Sequence, residues 1–289
     1  MPEGHTVHRL AAAFAAQFAG KQVEASSPQG RFVAGAAMLD GRLLLAAEAH
    51  GKQMFLGFSE ELWLRVHLGL YGMWRFAGVG LEGIGRRRAK ALVKSGAAVE
   101  LDEFPPEPRG AVRLRLLAGG HLADLSGPTA CELLSSAEKA AFMARLGDDP
   151  LRSDADPARA YGRLHASRAA LGLLLMRQDI VAGIGNIYRA ELLFRARLEP
   201  HRPGRELTPP VWQALWDDLG GLLRDGVRTG RIVTTEPRDR PRRSGAVGRD
   251  AATYVAHRAG RPCRLCGNPV LAEPMAGRTL YWCACCQTS

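Results

Sequence analysis

The stretch Gln-Asp-Ile-Val-Ala-Gly-Ile-Gly-Asn-Ile-Tyr-Arg-Ala-Glu occupies residues 178–191 and lies between two segments of helical character. Gly183 and Gly185 allow the backbone to turn tightly and to approach another surface closely. Asn186 is a favourable N-cap for the helix that follows. Free backbone amides at a helix start form a site suited to a phosphate, and Arg189 could add positive charge one turn later. The stretch predicts an anion-binding helix–turn–helix; taken alone, a plain helical connection is an equal alternative.

The start of the chain, Met1-Pro2-Glu3-Gly4, has the groups of a minimal catalytic site. If Met1 is removed, the nitrogen of Pro2 becomes a secondary amine, and an α-amine titrates near pH ~8. Such an amine can attack a sugar carbon to give an iminium ion, while the carboxylate of Glu3 moves protons. The alternative is an ordinary disordered terminus.

The residues that follow favour an ordered terminus. Apolar residues recur at helical spacing and define one face of an amphipathic helix, and Gly20 stands where a C-terminal cap belongs. The residues of this face are Val7, Leu10, Ala11, Phe14 and Phe18. A helix of this kind ties the start of the chain to a core.

The charge of the 289-residue chain is unevenly distributed. The formal net charge is +10, and residues 224–289 contain twelve arginines and no lysine against five acidic residues. This localisation indicates a polyanionic partner such as nucleic acid, although an arginine excess can also serve solubility alone. No apolar run approaches the ~20 residues of a membrane span, and no signal segment is evident, so we expect a cytoplasmic protein.

Residues 21–125 have the pattern of a β-rich segment. Turn-like pairs such as Asp40-Gly41 and Gly119-Gly120 separate short apolar runs at residues 42–47, 52–58, 62–67 and 112–117. Many short strands with this spacing predict a β-sandwich. The sequence Gly-Ile-Gly-Arg-Arg-Arg at 83–88 predicts a basic loop.

From about Ser126 the apolar residues follow a helical period. We predict helical regions at residues 132–146, 164–176 and 206–229, with an Asp/Pro-rich connection at 148–157. The last of these regions carries Trp212, Leu215, Trp216, Leu219, Leu222 and Leu223 on one side. Residues 236–249 predict a mobile loop because they combine Pro, Gly, Ser and Arg.

Five of the six cysteines lie in the last 27 residues. Cys263 and Cys266, followed by Cys283 and Cys286, form a C-x2-C…C-x2-C pattern that predicts a structural zinc site on a β-hairpin. Cys285 is the alternative fourth ligand, but its spacing matches the first pair less well. Arg278 is expected at the far tip of the hairpin, either contacting phosphates or a groove, or solvated. The sixth cysteine, Cys131, is most simply a small buried apolar residue.

Three motifs in order resemble one family. A Pro-Glu-Gly start, the turn Ala-Gly-Ile-Gly-Asn-Ile-Tyr-Arg and a four-cysteine end with Gly-Arg-Thr-x-Tyr-Trp-Cys are similar to the formamidopyrimidine-DNA glycosylase/endonuclease VIII (Fpg/Nei) family. The resemblance covers residues 2 to about 287. It implies an α+β, multidomain chain: a helix and β-sandwich catalytic domain at 1–125, a helix–two-turn–helix domain at 126–240, and a loop with a zinc finger at 241–289.

The resemblance also implies an activity and its partners. It implies a bacterial base-excision-repair enzyme that removes oxidised bases from damaged DNA and then cleaves the strand. The expected cofactor is one structural Zn²⁺, and the expected partner is damaged DNA. We expect a monomer that uses no small-molecule cofactor and does not bind a membrane. Use at the nucleoid is expected.

Carried over residue by residue, Pro2 resembles the family's nucleophile and Glu3 its acid/base. Lys52 resembles the lysine that contacts phosphate and assists the reaction, although taken alone it is a solubilising residue at a strand edge. The turn with Gly183, Gly185 and Asn186 resembles the backbone-binding element of the family. Arg278 resembles the zinc-finger arginine.

The loop His67–Gly72 resembles the endonuclease VIII wedge that fills the stack after a nucleotide is flipped out. Leu70 and Tyr71 are the expected wedge residues, and core packing after a strand is the alternative. The segment Asp124–Gly127 lacks the Arg and Phe that the formamidopyrimidine branch places there, and Gly230–Thr235 looks more like endonuclease VIII. We therefore expect a preference for oxidised pyrimidines.

The sequence departs from the family pattern at several positions. His5, Gly69 and Arg177 replace residues more usual there, and Val255–Arg258 replaces a Tyr-Gly-Arg-like run. These departures affect substrate range and DNA contacts rather than the chemistry. The alternative functions are an oxidised-purine glycosylase and a non-catalytic zinc protein that binds DNA.

Overall fold

The computed structural model describes residues 2–78, 104–241 and 245–288. The chain divides into two compact units. The first contains Pro2 and residues 6–144, and the second contains residues 3–5 and the chain from residue 145 onwards. The basic loop predicted at 83–88 lies outside the described residues.

The first helix, α1 (Gly4–Gln17), forms as the apolar spacing predicts. Its predicted face is buried, with Phe14 and Phe18 fully inaccessible to solvent. Gly20, three residues after the end of the helix, has the left-handed φ of +77° that favours glycine, and its amide donates to the carbonyl of Leu44 at 2.8 Å. The prediction of a helix tied to a core is confirmed.

The first unit contains two four-stranded sheets in the orders β1-β6-β7-β5 and β2-β3-β4-β8, with every described strand pair antiparallel. The strands are β1 (Glu24–Ser26), β2 (Leu44–His50), β3 (Gln53–Phe58), β4 (Leu62–His67), β5 (Met73–Ala77), β6 (Val112–Ala118), β7 (His121–Ser126) and β8 (Ala130–Ser135). Leu56 and Leu64 from one sheet and Leu114 and Leu125 from the other belong to one buried core with α1. The predicted β-sandwich is confirmed. A short helix, α2 (Val33–Leu39), lies between β1 and β2 and was not predicted.

The helical region predicted at 132–146 is wrong in its first part. Residues 130–135 form β8, in which Leu133 pairs with Leu64 and Leu134 with Trp63 of β4. The helix α3 (Ser136–Met143) begins only after Ser135, whose side chain caps the amide of Glu138. Pairing with β4 therefore decides the conformation of an apolar run that is too short for its period to decide. The first unit extends to Ala144, beyond the boundary expected at 125.

The second unit begins with α4 (Pro157–His165) and a single turn, α5 (Leu171–Leu174). The continuous helix predicted at 164–176 is wrong. The amides of Leu171 and Gly172 donate to the carbonyls of Arg202 and Pro200, so this backbone is drawn into tertiary contacts and the helix is interrupted.

The turn region leads into α6 (Asn186–Arg195), and α7 (Pro209–Thr229) forms close to the predicted bounds. Trp212, Leu215, Leu219 and Leu223 of α7 are buried in the core of this unit. Short 3-10 turns lie at Gly204–Glu206, Pro237–Asp239 and Arg249–Ala251. The hairpin of β9 (Leu271–Met275) and β10 (Arg278–Trp282) follows. Within the described residues, no helix has the length and apolarity needed to cross a bilayer.

Candidate active site and nucleic-acid interface

The carboxylate of Glu3 is completely buried at the start of α6. It accepts hydrogen bonds from the amides of Gly185 at 3.0 Å, Ile187 at 2.9 Å and Tyr188 at 3.4 Å. The helix dipole and these donors stabilise a negative charge. The anion site predicted at this helix start therefore exists, but the anion that it binds is the protein's own Glu3 and not a phosphate.

The two glycines of the turn make room for the start of the chain. The amide of Gly4 donates to the carbonyl of Gly183 at 2.9 Å, and Gly183 has φ +101°. A Cβ on Gly185 would lie 2.5 Å from Cδ of Glu3, and one on Gly4 would lie 2.8 Å from Cα of Gly183. The close approach inferred from the sequence is thus made to residues 3–5 of the same unit. Contacts of Gly183 and Gly185 with DNA stay predictions.

The side chain of Gln178 stabilises the glycine turn through hydrogen bonds to its backbone. Its Nε2 donates to the carbonyls of Met176 and Ile184 at 3.0 Å each, and its Oε1 accepts from the amide of Gly183 at 3.1 Å. Three hydrogen bonds from one side chain fix the backbone that presents Gly183 and Gly185.

The N-cap role predicted for Asn186 is wrong, because Gly185 occupies the N-cap position and Asn186 is the first residue of α6. The side chain of Asn186 instead donates from Nδ2 to the carbonyl of Thr279 at 2.8 Å and accepts from Arg189. It therefore connects α6 to β10. Backbone binding of DNA by Asn186 stays a prediction.

The sequence indicated that Arg189 adds positive charge at the surface of the turn. This prediction is wrong, because Arg189 is completely buried. Its Nη1 donates to the carbonyls of Gly172 and Met275 at 3.2 Å each. Burial lowers the pKa of Arg189 to about 10, against the opposing effect of the Glu3 charge. Arg189 holds β9 against the helices of this unit.

Sequence reasoning missed Glu191, which is also fully buried. Its carboxylate accepts from the amides of Tyr254, Val255 and Ala256, each at 2.7 Å, and from the hydroxyl of Thr234. These bonds anchor the segment that leads to the first cysteine pair. The sequence did offer one signal for Glu191. Charged residues lie on more than one face of α6, although most residues of this helix are apolar.

Pro2 belongs to the first unit and is half-buried. The peptide bond to Glu3 keeps the two Cα atoms about 3.8 Å apart. The predicted nucleophile and the predicted acid/base are therefore neighbours, and Glu3 is fixed by α6.

Lys52 lies in the turn between β2 and β3, directly before β3 begins, and is half-buried. Burial lowers the pKa of His67, and the positive charges of Lys52 and Arg65 lower it further. Lys52 directly precedes Gln53, whose Cα pairs with that of His67 on β4, so the two side chains belong to the same edge of the sheet. The lysine's catalytic role stays a prediction.

The loop between β4 and β5 exposes the two residues predicted as a wedge. Leu70 is 37% exposed and Tyr71 is 82% exposed, which excludes core packing for Tyr71. Gly69 has φ +62°, and a Cβ there would lie 1.9 Å from Oγ1 of Thr129. The loop therefore requires glycine where a polar wedge residue is more usual.

The four predicted zinc ligands converge. The Sγ atoms of Cys263, Cys266, Cys283 and Cys286 all lie within 4.8 Å of one another. Cys263 and Cys286 are 3.8 Å apart and Cys266 and Cys283 are 3.5 Å apart. Four sulfurs at about 2.3 Å from a tetrahedral zinc are separated by about 3.8 Å, so the cluster fits such an ion. Cys285 is exposed and outside the cluster.

Arg278 is the first residue of β10 and follows a turn at Ala276 and Gly277, both with positive φ. Its side chain is exposed at the hairpin tip, as predicted. The next residue, Thr279, accepts the hydrogen bond from Asn186. The backbone beside Arg278 is therefore fixed to α6.

Both halves of the chain match known family models. Residues 1–123 match the formamidopyrimidine-DNA glycosylase N-terminal domain, and residues 146–237 match the formamidopyrimidine-DNA glycosylase H2TH domain. "Endonuclease 8 1" of Mycobacterium tuberculosis is 43% identical over 298 aligned residues, which cover 100% of both chains. The chain belongs to the Fpg/Nei family.

Membership of the Fpg/Nei family places the protein among the DNA-repair glycosylases and confirms the resemblance inferred from three motifs. Formamidopyrimidine-DNA glycosylase of Thermus thermophilus is 32% identical over 252 residues, 87% of this chain and 85% of the relative. The crystal structure of MutM (Fpg) from Thermus thermophilus superposes with a TM-score of 0.74 at 26% identity, covering 99% and 98% of the two chains. Lactococcus lactis Fpg in complex with N7-benzyl-Fapy-dG DNA has the same fold, with a TM-score of 0.74 at 19% identity over 100% of both chains.

Proposed function

We propose that the protein is a bifunctional DNA glycosylase and AP lyase that excises oxidised bases, chiefly pyrimidines, from damaged DNA. The observation that carries this proposal is the buried carboxylate of Glu3, the residue directly after Pro2. It accepts hydrogen bonds from the amides of Gly185, Ile187 and Tyr188 at the start of α6. A disordered terminus would show neither burial nor these bonds, so they support an ordered Pro-Glu start.

In this mechanism the nitrogen of Pro2, once Met1 is removed, attacks C1′ of the flipped nucleotide. The N-glycosidic bond breaks, the base leaves with a proton delivered by acid catalysis, and the nitrogen of Pro2 loses its own proton. The C1′–O4′ bond of the sugar then opens, O4′ takes up a proton, and an iminium ion remains between Pro2 and C1′. Glu3 is the proposed acid/base. Loss of a proton from C2′ then expels the 3′ phosphate by β-elimination, and a second elimination can release the 5′ phosphate. Lys52 is proposed to contact phosphate and assist.

Several observations support oxidised pyrimidines as substrates. The 43% identical relative carries the name endonuclease 8 1, whereas relatives named formamidopyrimidine-DNA glycosylase are 32% identical over 252 residues and 34% identical over 145 residues. Asp124 begins the segment in which the formamidopyrimidine branch places an Arg and a Phe. Here Asp124 is paired with Arg115 through two 2.8 Å hydrogen bonds inside the sheet. Tyr71 is exposed, as a wedge requires. Oxidised purines are the second candidate, to be compared in the same cleavage assay.

We infer one structural Zn²⁺ at the four cysteines, and we assign Arg278 and Asn186 as DNA-backbone contacts. Four thiolate ligands leave no open coordination position, so the ion would supply folding energy and no catalytic step. Two observations support a phosphate contact at the tip of the β9–β10 hairpin. Arg278 is exposed there, and the hydrogen bond from Asn186 to Thr279 fixes the neighbouring backbone.

Borohydride trapping on damaged duplexes tests the nucleophile. The wild-type protein is expected to form a covalent adduct, because the iminium is reducible, and Pro2→Gly is expected to trap weakly or not at all. Intact mass of the same sample establishes whether Met1 has been removed. A processed wild type that binds damaged DNA but is neither trapped nor active would favour the non-catalytic zinc protein.

A further inference from the structure

Three arginines line a cleft that none of the assignments above uses. The cleft has a volume of about 380 Å³ and is lined by Arg145, Arg163, Arg177, Asp179 and Ile180. Its arginines come from three separate parts of the second unit: Arg145 follows α3, Arg163 lies on α4, and Arg177 precedes the glycine turn. All three arginines are exposed.

The orientation of two of the guanidinium groups is fixed by the protein. Nη1 of Arg163 donates to the carbonyl of Asp179 at 2.7 Å and to that of Leu146 at 3.3 Å. Arg177 makes two hydrogen bonds with the carboxylate of Asp179, at 3.1 Å and 2.5 Å. The hydrogen bond from Arg177 lowers the pKa of Asp179, so this carboxylate stays charged at neutral pH.

The residues that line the cleft are rich in positive charge. They include three guanidinium groups and one carboxylate, which give the lining a formal net charge of +2. Like charges that converge in one concave site repel, and an anion in the cleft offsets that repulsion. From residue 145 onwards the chain has arginine and no lysine, and the planar fork of arginine matches the oxygens of a phosphate.

The cleft lies close along the chain to the glycine turn, whose contact with DNA is part of the proposed function. Ile180 in its lining is five residues before Gly185, a span of at most about 17 Å for an extended chain. Phosphates follow one strand of DNA at about 3.4 Å of axial rise per nucleotide. A backbone held at the turn therefore has further phosphates within reach of the cleft.

We propose that the cleft of Arg145, Arg163 and Arg177 binds a phosphate group, namely one of the DNA backbone beyond those contacted at Asn186 and Arg278. The assignment to DNA rests on the proposed function, while the chemistry of the site does not. A free phosphate or pyrophosphate ion has the same recognition chemistry and is the second source to be tested.

The experiment uses the full-length, zinc-loaded protein and a duplex with a stable abasic-site analogue, with affinity measured by fluorescence anisotropy between 50 and 200 mM salt. Arg145→Gln and Arg177→Gln are each expected to weaken binding about tenfold. The slope of log K against log salt should become less negative by about 0.9 for each phosphate that the variant no longer binds. Asp179→Asn is expected to change affinity in the opposite direction, because it removes the carboxylate that repels a phosphate.

Arg224→Gln is the matched control, since Arg224 is an exposed arginine of α7 outside the cleft lining. The thermal shift caused by pyrophosphate on the protein alone provides the second readout. If pyrophosphate stabilises the wild type but not the cleft variants, and the salt slopes are unchanged, the ligand is a free anion. If the cleft variants match Arg224→Gln in both readouts, the proposal is wrong. Borohydride trapping is independent of this outcome, so failure of the cleft and failure of the proposed activity are distinguishable.

Discussion

Glu3 combines a structural and a chemical task in one side chain. Its carboxylate replaces the missing acceptors at the start of α6 and is also the proposed proton-transfer group beside Pro2. Both tasks depend on a space that exists because residue 185 has no side chain. A Cβ at this position would lie within 2.8 Å of three atoms of Glu3.

Gly185→Ala is therefore expected to displace Glu3 from α6. Loss of the hydrogen bonds to a buried carboxylate costs about 1–3 kcal/mol, and misplacing an acid/base group lowers the rate by about 10²-fold or more. Thermal unfolding and single-turnover base excision measure the two effects.

Gly162→Ala is the matched control, because a Cβ at Gly162 in α4 meets nothing within 4 Å. This change should stabilise the protein by up to about 1 kcal/mol and leave excision unchanged, since alanine is the better helix former. Equal behaviour of the two variants would contradict the role given to the space at Gly185.

The hairpin β9–β10 is held by polar side chains from outside it. Asn186 and Arg189 of α6 bond to the carbonyls of Thr279 and Met275. On the far side His201 lies between two carboxylates, with Nδ1 2.5 Å from Glu199 and Nε2 2.8 Å from Glu273 of β9. A histidine that donates from both ring nitrogens is protonated, so this contact depends on pH.

Partial burial lowers the pKa of His201, but Glu199 and Glu273 outweigh this effect, and the pKa is raised above its ordinary value. A raised folded-state pKa stabilises the protein fully below the ordinary histidine pKa, about 6.5, and this contribution is lost as pH rises through the folded-state value. The difference in melting temperature between wild type and His201→Gln should therefore be larger at pH 5.5 than at pH 8.5. A difference that does not change with pH would show that the charged form of His201 is not involved.

The Zn²⁺ proposed at the four cysteines would stabilise only part of the molecule. Three of the four cysteines, Cys263, Cys283 and Cys286, belong to a small core that is separate from the core of the β-sandwich. Phe194, Tyr254, Val255 and Val270 are also part of it. Chelation should therefore remove hydrogen-exchange protection from residues 254–288 and weaken DNA binding, while protection of β2–β4 persists. Retention of full DNA affinity after chelation would argue against a DNA role for the hairpin.

Local sequence patterns predicted those parts of the structure whose physical cause lies within a short segment of the chain. The face of α1 follows from apolar period, and the cysteine cluster follows from ligand spacing. Pairing across the fold decided the features that were missed. Residues 132–134 became a strand because β4 lies beside them, and the helix expected at 164–176 broke where Leu171 and Gly172 bond to a distant loop. The partner of α6's amides, Glu3, is more than 180 residues away along the chain.

Residues 3–5 belong to the unit that the C-terminal half of the chain forms. During synthesis they can therefore make their native contacts only after that half has left the ribosome. On a ribosome adding 5–20 residues per second, Glu3 waits roughly 10–40 s before the turn that captures it has been synthesised. During that interval the amino end is open to the peptidase that trims the initiator methionine. In the proposed mechanism Met1 is thus removed before Glu3 is buried against the turn, and a fusion partner placed ahead of Pro2 would prevent that removal.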